Sequence, residues 1–233
     1  MIALHTRGIP VGSIGVSSGP AMAANDTITI EIHGRAAHGA HPEDGIDAIA
    51  IAAQVINAIQ QIVSRKLPAI EPAVVSITTI QGGIKENIIA ERVELGGTIR
   101  SSGGAARQKL IGELEKALDV GRVMGATCEL HIKEGYPATL NDPAVTESIR
   151  SAARSVLGPE HVVELPFNPW AEDFGYITAQ IPGSMFWLGV TREKTPHPVW
   201  HSPTFDLDED ALPVGAAVMA ASALRLLKEK NNV

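Results

Sequence analysis

Cysteine is nearly absent from the 233 residues: Cys128 stands alone, so no intrachain disulfide can form. Its setting, Ala126-Thr-Cys-Glu-Leu-His-Ile, alternates like a strand, and no local pattern marks a nucleophile, so a buried, inert thiol is expected there. Aromatic residues amount to only 4%, which leaves Ile, Val, Leu and Ala to fill whatever core forms. Clusters of Lys and Arg are missing and the formal net charge is −7, which argues against nucleic acid as a partner. The apolar stretches are interrupted by polar residues at short intervals, so no membrane span is expected. The N-terminus has no basic region leading into an apolar run, so no signal peptide is expected either, and a reducing, cytoplasmic setting is the default. P-loop and CxxC patterns do not occur, which removes support for nucleotide-binding and zinc-ribbon chemistry.

What is present is ordinary globular material, 45% apolar and 19% charged, long enough for one large domain or two small ones. Residues 27–33 alternate with a period of two, as a half-buried strand does. A Gly- and His-rich loop follows, and then a helical pattern over about 46–65, with Ile49, Ala52, Val55, Ile56, Ile59, Ile62 and Val63 on one stripe. Strands are expected at 73–80, 91–100 and 126–133, with an amphipathic helix at about 105–121 that carries Leu110, Leu114, Ala117 and Leu118 on one face. Strand, helix, strand, strand, helix, strand is the split βαβ order of a ferredoxin-like sandwich, a four-stranded antiparallel sheet with two helices. It occupies about 22–135. Outside it the rhythm is that of an α/β layer: a strand at 2–5, helix 143–157, strand 161–164, helix 172–180, strand 184–190 and helix 209–229. The expected division is therefore 1–21 and 136–233 as parts of one domain, with 22–135 inserted between them. The start within one residue of a strand-like segment reads as the interior of a domain rather than its beginning.

Several residues could carry chemistry. His5 ends the first strand, and His201 sits in Trp200-His-Ser-Pro-Thr-Phe-Asp206 before the last helix; a lone histidine in either place is more often structural than a ligand. His38 and His41 lie in the glycine-rich loop, where glycine permits close backbone approach but suits any tight turn as well. Glu172 and Asp173 are adjacent acids near a helix start, where they also complement the macrodipole.

Taken together, the order of motifs resembles the M20 metallopeptidases, in particular their amidohydrolase branch of hippurate hydrolases, N-acyl-amino-acid amidohydrolases and auxin-conjugate hydrolases. The matching stretches are Ala3-Leu-His5, Ile9-Pro-Val-Gly-Ser-Ile-Gly, Gly34-Arg-Ala-Ala-His38-Gly-Ala-His41-Pro-Glu-Asp-Gly, Gln81-Gly-Gly with Asn87-Ile-Ile, and Glu94-Leu-Gly-Gly-Thr-Ile-Arg100. They continue through Ala171-Glu-Asp-Phe174 and His201-Ser-Pro-Thr-Phe-Asp-Leu-Asp-Glu, so the resemblance covers nearly the whole chain. It implies that 22–135 is a dimerisation (lid) domain within the C-terminal part of an α/β zinc-peptidase-like catalytic domain. It implies that His5 and His201 ligate metal, and that His38 reaches the active site of a partner subunit to polarise the scissile carbonyl. It places Asn87, Arg100 and Glu172 near substrate, and it implies two Zn²⁺ or Mn²⁺ ions per subunit of the complete enzyme. Two such ions clamp a water and a carbonyl oxygen, and imidazole nitrogen suits either. The implied partners are an N-acyl amino acid or peptide-like substrate and a second copy of the chain.

The departures are as informative. The Cys/His/Asp metal-binding stretch and the Glu-Glu pair, which holds the general base, have no counterpart in these residues, and Pro169-Trp170 replaces the smaller residues usual before Ala-Glu-Asp-Phe. A two-metal hydrolase needs several ligands per ion and a base within reach. Two readings stand: part of a metal-dependent amidohydrolase, inactive or nearly so by itself, or an inactive remnant serving as a dimerisation or ligand-binding module. An unrelated ferredoxin-like regulatory module leaves His201-Ser-Pro-Thr-Phe-Asp unexplained.

Overall fold

The computed structural model describes residues 1–192 and 200–231. In chain order the elements are β1 (Ile2–Pro10), β2 (Ile14–Val16), β3 (Gly19–Met22), β4 (Ala24–His33), β5 (Ala37–His38), α1 (Ala48–Lys66), β6 (Ala73–Gly82), β7 (Ile88–Ile89) and β8 (Arg92–Ser101). They continue with α2 (Gly104–Ala117), α3 (Asp119–Val123), β9 (Thr127–Glu134), β10 (Thr139–Asn141), α4 (Pro143–Leu157), β11 (Val162–Glu164), α5 (Phe174–Thr178), β12 (Ser184–Thr191) and α6 (Ala211–Asn231). Two compact units result: one of 1–22, 139–168 and 172–233, and one of 23–138 with 169–171.

The second unit is the ferredoxin-like sandwich. Its sheet runs β6-β8-β4-β9, with all neighbours antiparallel. Alternation along β4 and β8 turns Ile28, Ile30, Ile32, Val93, Leu95 and Ile99 inward, where they meet Ile51, Val55, Ile59 and Ile62 of α1 and Leu110 and Leu114 of α2. Each such fully buried aliphatic side chain contributes about 1.5–3 kcal/mol. Asp47 caps α1, accepting the Ile49 and Ala50 N–H groups at 2.9 and 3.2 Å, and Arg65 and Lys66 sit in its last turn, where cations favour the dipole. The expected stripe is corrected at one end: Ile49 lies on the surface beside the Gly83 turn, and Ile51 takes the core position. The helix expected over 105–121 is also broken in two at Leu118, whose N–H is shared between Leu114 O and Glu115 O. The Arg122 guanidinium bonds Asp119 within α3 at 2.8 Å, and it ties α3 to Glu115 of α2 and, at 2.9 Å, to the Cys128 carbonyl of β9. Cys128 itself is buried and free, and burial raises its thiol pKa, so it stays an unreactive thiol.

In the first unit the sheet order is β1-β12-β2-β11, with β1 parallel to β12, β12 antiparallel to β2, and β2 parallel to β11. Seven of the eight residues of β12 are buried, the continuous apolar run of a strand covered on both faces. Phe186, Leu188 and Val190 join Ile149 and Ala153 of α4 and Val218 of α6, while Met185 and Trp187 point the other way onto Phe174 of α5. Asp142 caps α4 through the Ala144 and Val145 N–H groups, both at 2.9 Å, with Pro143 at the first helical position. The short β2, β3 and β10 have no periodicity of their own; β10 pairs antiparallel with β3 and is anchored by Asn141, whose amide bonds the Ser17 and Met185 carbonyls at 2.9 Å. By length and composition alone, Ala211–Glu229 of α6 is long and apolar enough to cross a bilayer. Its Ala211 and Val218 are nonetheless built into the core of this unit.

Candidate functional site

The sequence candidates fall into two groups, one in each compact unit. In the first unit His5 lies on β1, opposite Trp187 of β12. Its Nδ1 stands 2.9 Å from the Thr6 carbonyl oxygen. A carbonyl can only accept, so Nδ1 carries the proton and Nε2 presents its lone pair. That is the state of a metal-ligating imidazole, with the second nitrogen held by a backbone carbonyl. Nε2 faces Glu172 Oε2 at 3.9 Å, too far for a hydrogen bond, so the two attract only when the ring takes a second proton. The other Glu172 oxygen accepts the Asp173 N–H at 3.0 Å, which fixes the carboxylate in this direction.

His201 reaches the same strand through its neighbour: the Trp200 indole N–H donates to Thr6 Oγ1 at 3.1 Å. His201 itself has φ +61°, and no other residue except glycine among the described residues has positive φ. An L-residue in the left-handed region costs about 1–2 kcal/mol, and such strain collects at functional sites. Both His201→Gly and His201→Ala remove the imidazole, but only glycine relieves this backbone. The glycine variant is expected to be more stable than the alanine variant by about 0.5–1 kcal/mol in urea unfolding. Equal stabilities would mean the loop is not held in this conformation.

Among the described residues no group of three or more His, Cys, Asp or Glu side chains is arranged to hold a metal ion.

In the second unit the loop after β4 is tied down at both ends. Arg35 and Ile46 exchange backbone hydrogen bonds at 2.9 Å, and Arg35 Nε donates to the Asp44 carbonyl at 3.0 Å. Gly34 is required here because a Cβ would lie 2.1 Å from the Ile46 oxygen. β5 pairs with β7, so His38 stands directly opposite Ile88, and the next residue, Gly39, donates its N–H to the Asn87 carbonyl at 2.9 Å. His38 and Asn87 are thus brought together, both exposed. Arg100 is not brought to them. It pairs with Asn25 and Val74 at the far end of β8 from Arg92, about 26 Å away at ~3.3 Å per residue.

His38 is held in one tautomer. The Ala40 N–H donates to its Nδ1 at 3.0 Å, so the ring proton sits on Nε2, which is left to donate outward. His41 lies beside it, ring centroids 6.0 Å apart, with its Nδ1 3.4 Å from Glu43.

The sequence analysis missed the charged outer face of this sheet. Glu94, Glu31 and Glu129 stand in one cross-strand row, with His33, Arg92 and His131 interleaved. Hydrogen bonding to the Arg92 guanidinium holds the Glu31 carboxyl below its usual range. The signal was available in the alternation of Glu31 with His33, Arg92 with Glu94, and Glu129 with His131. Thr6 and Trp200 were missed too, since only the fold makes them neighbours.

Comparison with known proteins gives these groups a context. Residues 25–122 match the family model of the peptidase dimerisation domain. A thermostable carboxypeptidase of Saccharolobus solfataricus is 38% identical over 222 residues, covering 93% of this chain and 55% of the relative. An N-acetylcysteine deacetylase of Bacillus subtilis is 35% identical, covering 94% of this chain and 57% of the relative. A crystal structure from Bacillus subtilis, described as a dinuclear metal binding peptidase from the M20 family, superposes with a TM-score of 0.80 at 32% identity, over 97% of this chain and 57% of the other. The chain thus spans about half the length of these relatives.

Proposed function

Because the chain belongs to the M20 family of metallopeptidases and amidohydrolases, we propose that it is part of a metal-dependent hydrolase that cleaves the amide bond of N-acyl amino acids or similar conjugates. The observation that carries this reading is the tautomer of His38: an exposed imidazole on a stapled loop, with its Nε2–H aimed outward. A donor so fixed suits an oxyanion that develops on an amide carbonyl, presented in the active site of a second subunit. Asn87, bonded to the same loop through its backbone, would contact substrate beside it. Glu172 would sit at the substrate side of His5, and Arg100 would serve a different part of the surface.

His5, with Nε2 unprotonated, and His201 would each hold a divalent ion, Zn²⁺ or Mn²⁺. When bound, the ions supply a nucleophilic water and Lewis-acid polarisation of the carbonyl. The described residues do not complete such a site, so the remaining ligands and the general base would come from polypeptide beyond them. Dimerisation would use the 22–135 domain, where β6 leaves one edge of the sheet open and exposes Val74 and Ile80. The cytoplasm is the proposed location.

The same incomplete donor set favours the second reading, a dimerisation or ligand-binding module without turnover. Metal titration by calorimetry and elemental analysis decides. The chain by itself is expected to retain little tightly bound Zn²⁺ or Mn²⁺ and to hydrolyse hippurate-like substrates barely or not at all. Two tightly bound equivalents per chain, with turnover, would mean the site is complete within it.

A further inference from the structure

The second unit has a cup of about 350 Å³, lined in part by Ile88, that the reaction scheme above does not use. It lies at the low end of the size range of small-molecule sites, roughly 300–1,000 Å³. Gly82 and Gly83 form part of its wall. A Cβ on Gly82 would meet the Val93 side chain at 2.6 Å, and Gly83 turns the chain at φ +77°. The loop so shaped carries Ile84, 84% exposed, to the rim, and Ile88 closes the other side. Ile88 is the cross-strand partner of His38, and side chains of such a pair project from the same face of the ribbon. A group seated against Ile88 is therefore one cross-strand step from His38, which does not itself line the cup.

The charge of the cup selects what enters. Glu91, Glu94 and Arg92 line it. The Arg92 guanidinium is already committed to Glu31 at 3.1 Å and to Glu94 at 2.9 Å, so its charge is spent within the protein. The surplus is negative. A carboxylate would be repelled, while an uncharged aliphatic or aryl group would gain from the isoleucines.

We infer that this cup is the subsite for the apolar acyl end of the substrate, and that it excludes the carboxylate end. The inference rests on the amide-hydrolysis reading for the identity of the ligand; the cup and its charge do not depend on it. It makes acyl-chain selection a property of the dimerisation domain, delivered to the active site on the same loop system as His38.

The test is an NMR titration of the full chain labelled at isoleucine methyls and histidine rings, with N-acylglycines of increasing acyl length and the straight-chain alcohols of matching length as probes. The Ile84 and Ile88 methyl signals are expected to move, with affinity rising roughly three- to fourfold per added methylene. Ile84→Asp, on a side chain too exposed to matter for folding, should flatten that dependence. Equal binding of alcohols and acylglycines would support the cup while leaving the amide-hydrolysis reading without support from it. Acylglycines that shift His38 but leave Ile84 and Ile88 still at every length would overturn the cup and leave the role of His38 intact. No shift with the longest probe, or methyl shifts that appear only on raising the protein concentration because a second copy fills the cup, would also overturn the inference.

Discussion

Arg107→Ala is expected to cost about 3–5 kcal/mol of stability, the loss typical of removing one partner from a buried ion pair. Asp26, at the start of β4, has only 4% of its side chain exposed, and Arg107 of α2 only 17%. Arg107 Nε donates to one Asp26 oxygen at 2.7 Å, and the Gly135 N–H donates to the other at 3.2 Å. Asp26 is also the cross-strand partner of Glu134, so two like charges face each other, a destabilising arrangement in a sheet. The second arm of the guanidinium, Nη2, reaches Glu134 at 3.0 Å, so one cation lies against both carboxylates and offsets their repulsion. Without arginine the Asp26 carboxylate stays buried with one backbone donor and an uncompensated neighbour. Urea unfolding of the variant, with an unchanged slope against denaturant, measures the effect. Asp26→Ala combined with Arg107→Ala should lose clearly less than the sum of the single variants, because the two residues share one interaction. A loss below about 1 kcal/mol for Arg107→Ala would show that water replaces the guanidinium at little cost.

The second large effect belongs to His38. In a metal-loaded enzyme with a complete site, as the amide-hydrolysis reading proposes, His38→Ala should lower kcat by about 10²–10³-fold with little change in KM, the signature of a donor that acts only in the transition state. The side chain is exposed and makes its hydrogen bond within its own loop, so the unfolding midpoint should stay where it is. If the imidazole acts through its Nε2–H, as proposed, His38→Gln, which keeps an N–H donor, should recover part of the rate. A loss smaller than tenfold, or one carried wholly in KM, would remove His38 from the chemistry and favour a binding module.

Most of the inserted domain was legible in the sequence because its elements advertise themselves locally. β4 alternates Ile28, Ile30 and Ile32 inward along its length, and α1 repeats its apolar residues at three and four with an Asp cap in front. These signals are periods of two and 3.6, and they survive without any knowledge of neighbours. The same reasoning found α4 at 143–157 and β12 at 184–190. It did not find β2, β3 or β10, each held in place by partners rather than by any pattern of its own. It also ran α2 through Leu118, since nothing in the local pattern announces the break that Arg122 then stabilises.

The candidate site divides along the same line. By itself the sequence determined which side chains are available: His5, His38 and His201, the acids, the glycine pair, and no counterpart of the Cys/His/Asp stretch or the Glu-Glu pair. The residue order was enough to match a family, because chemistry is written in residue types and spacing. Only the tertiary structure decided what each group can do. The Thr6 carbonyl chooses the tautomer of His5, and the Ala40 N–H chooses that of His38. Strand pairing sets His38 beside Ile88 and removes Arg100 to the other end of the sheet. Proton position and proximity depend on hydrogen-bond partners that the backbone brings from elsewhere in the chain, and no local pattern of residues encodes those.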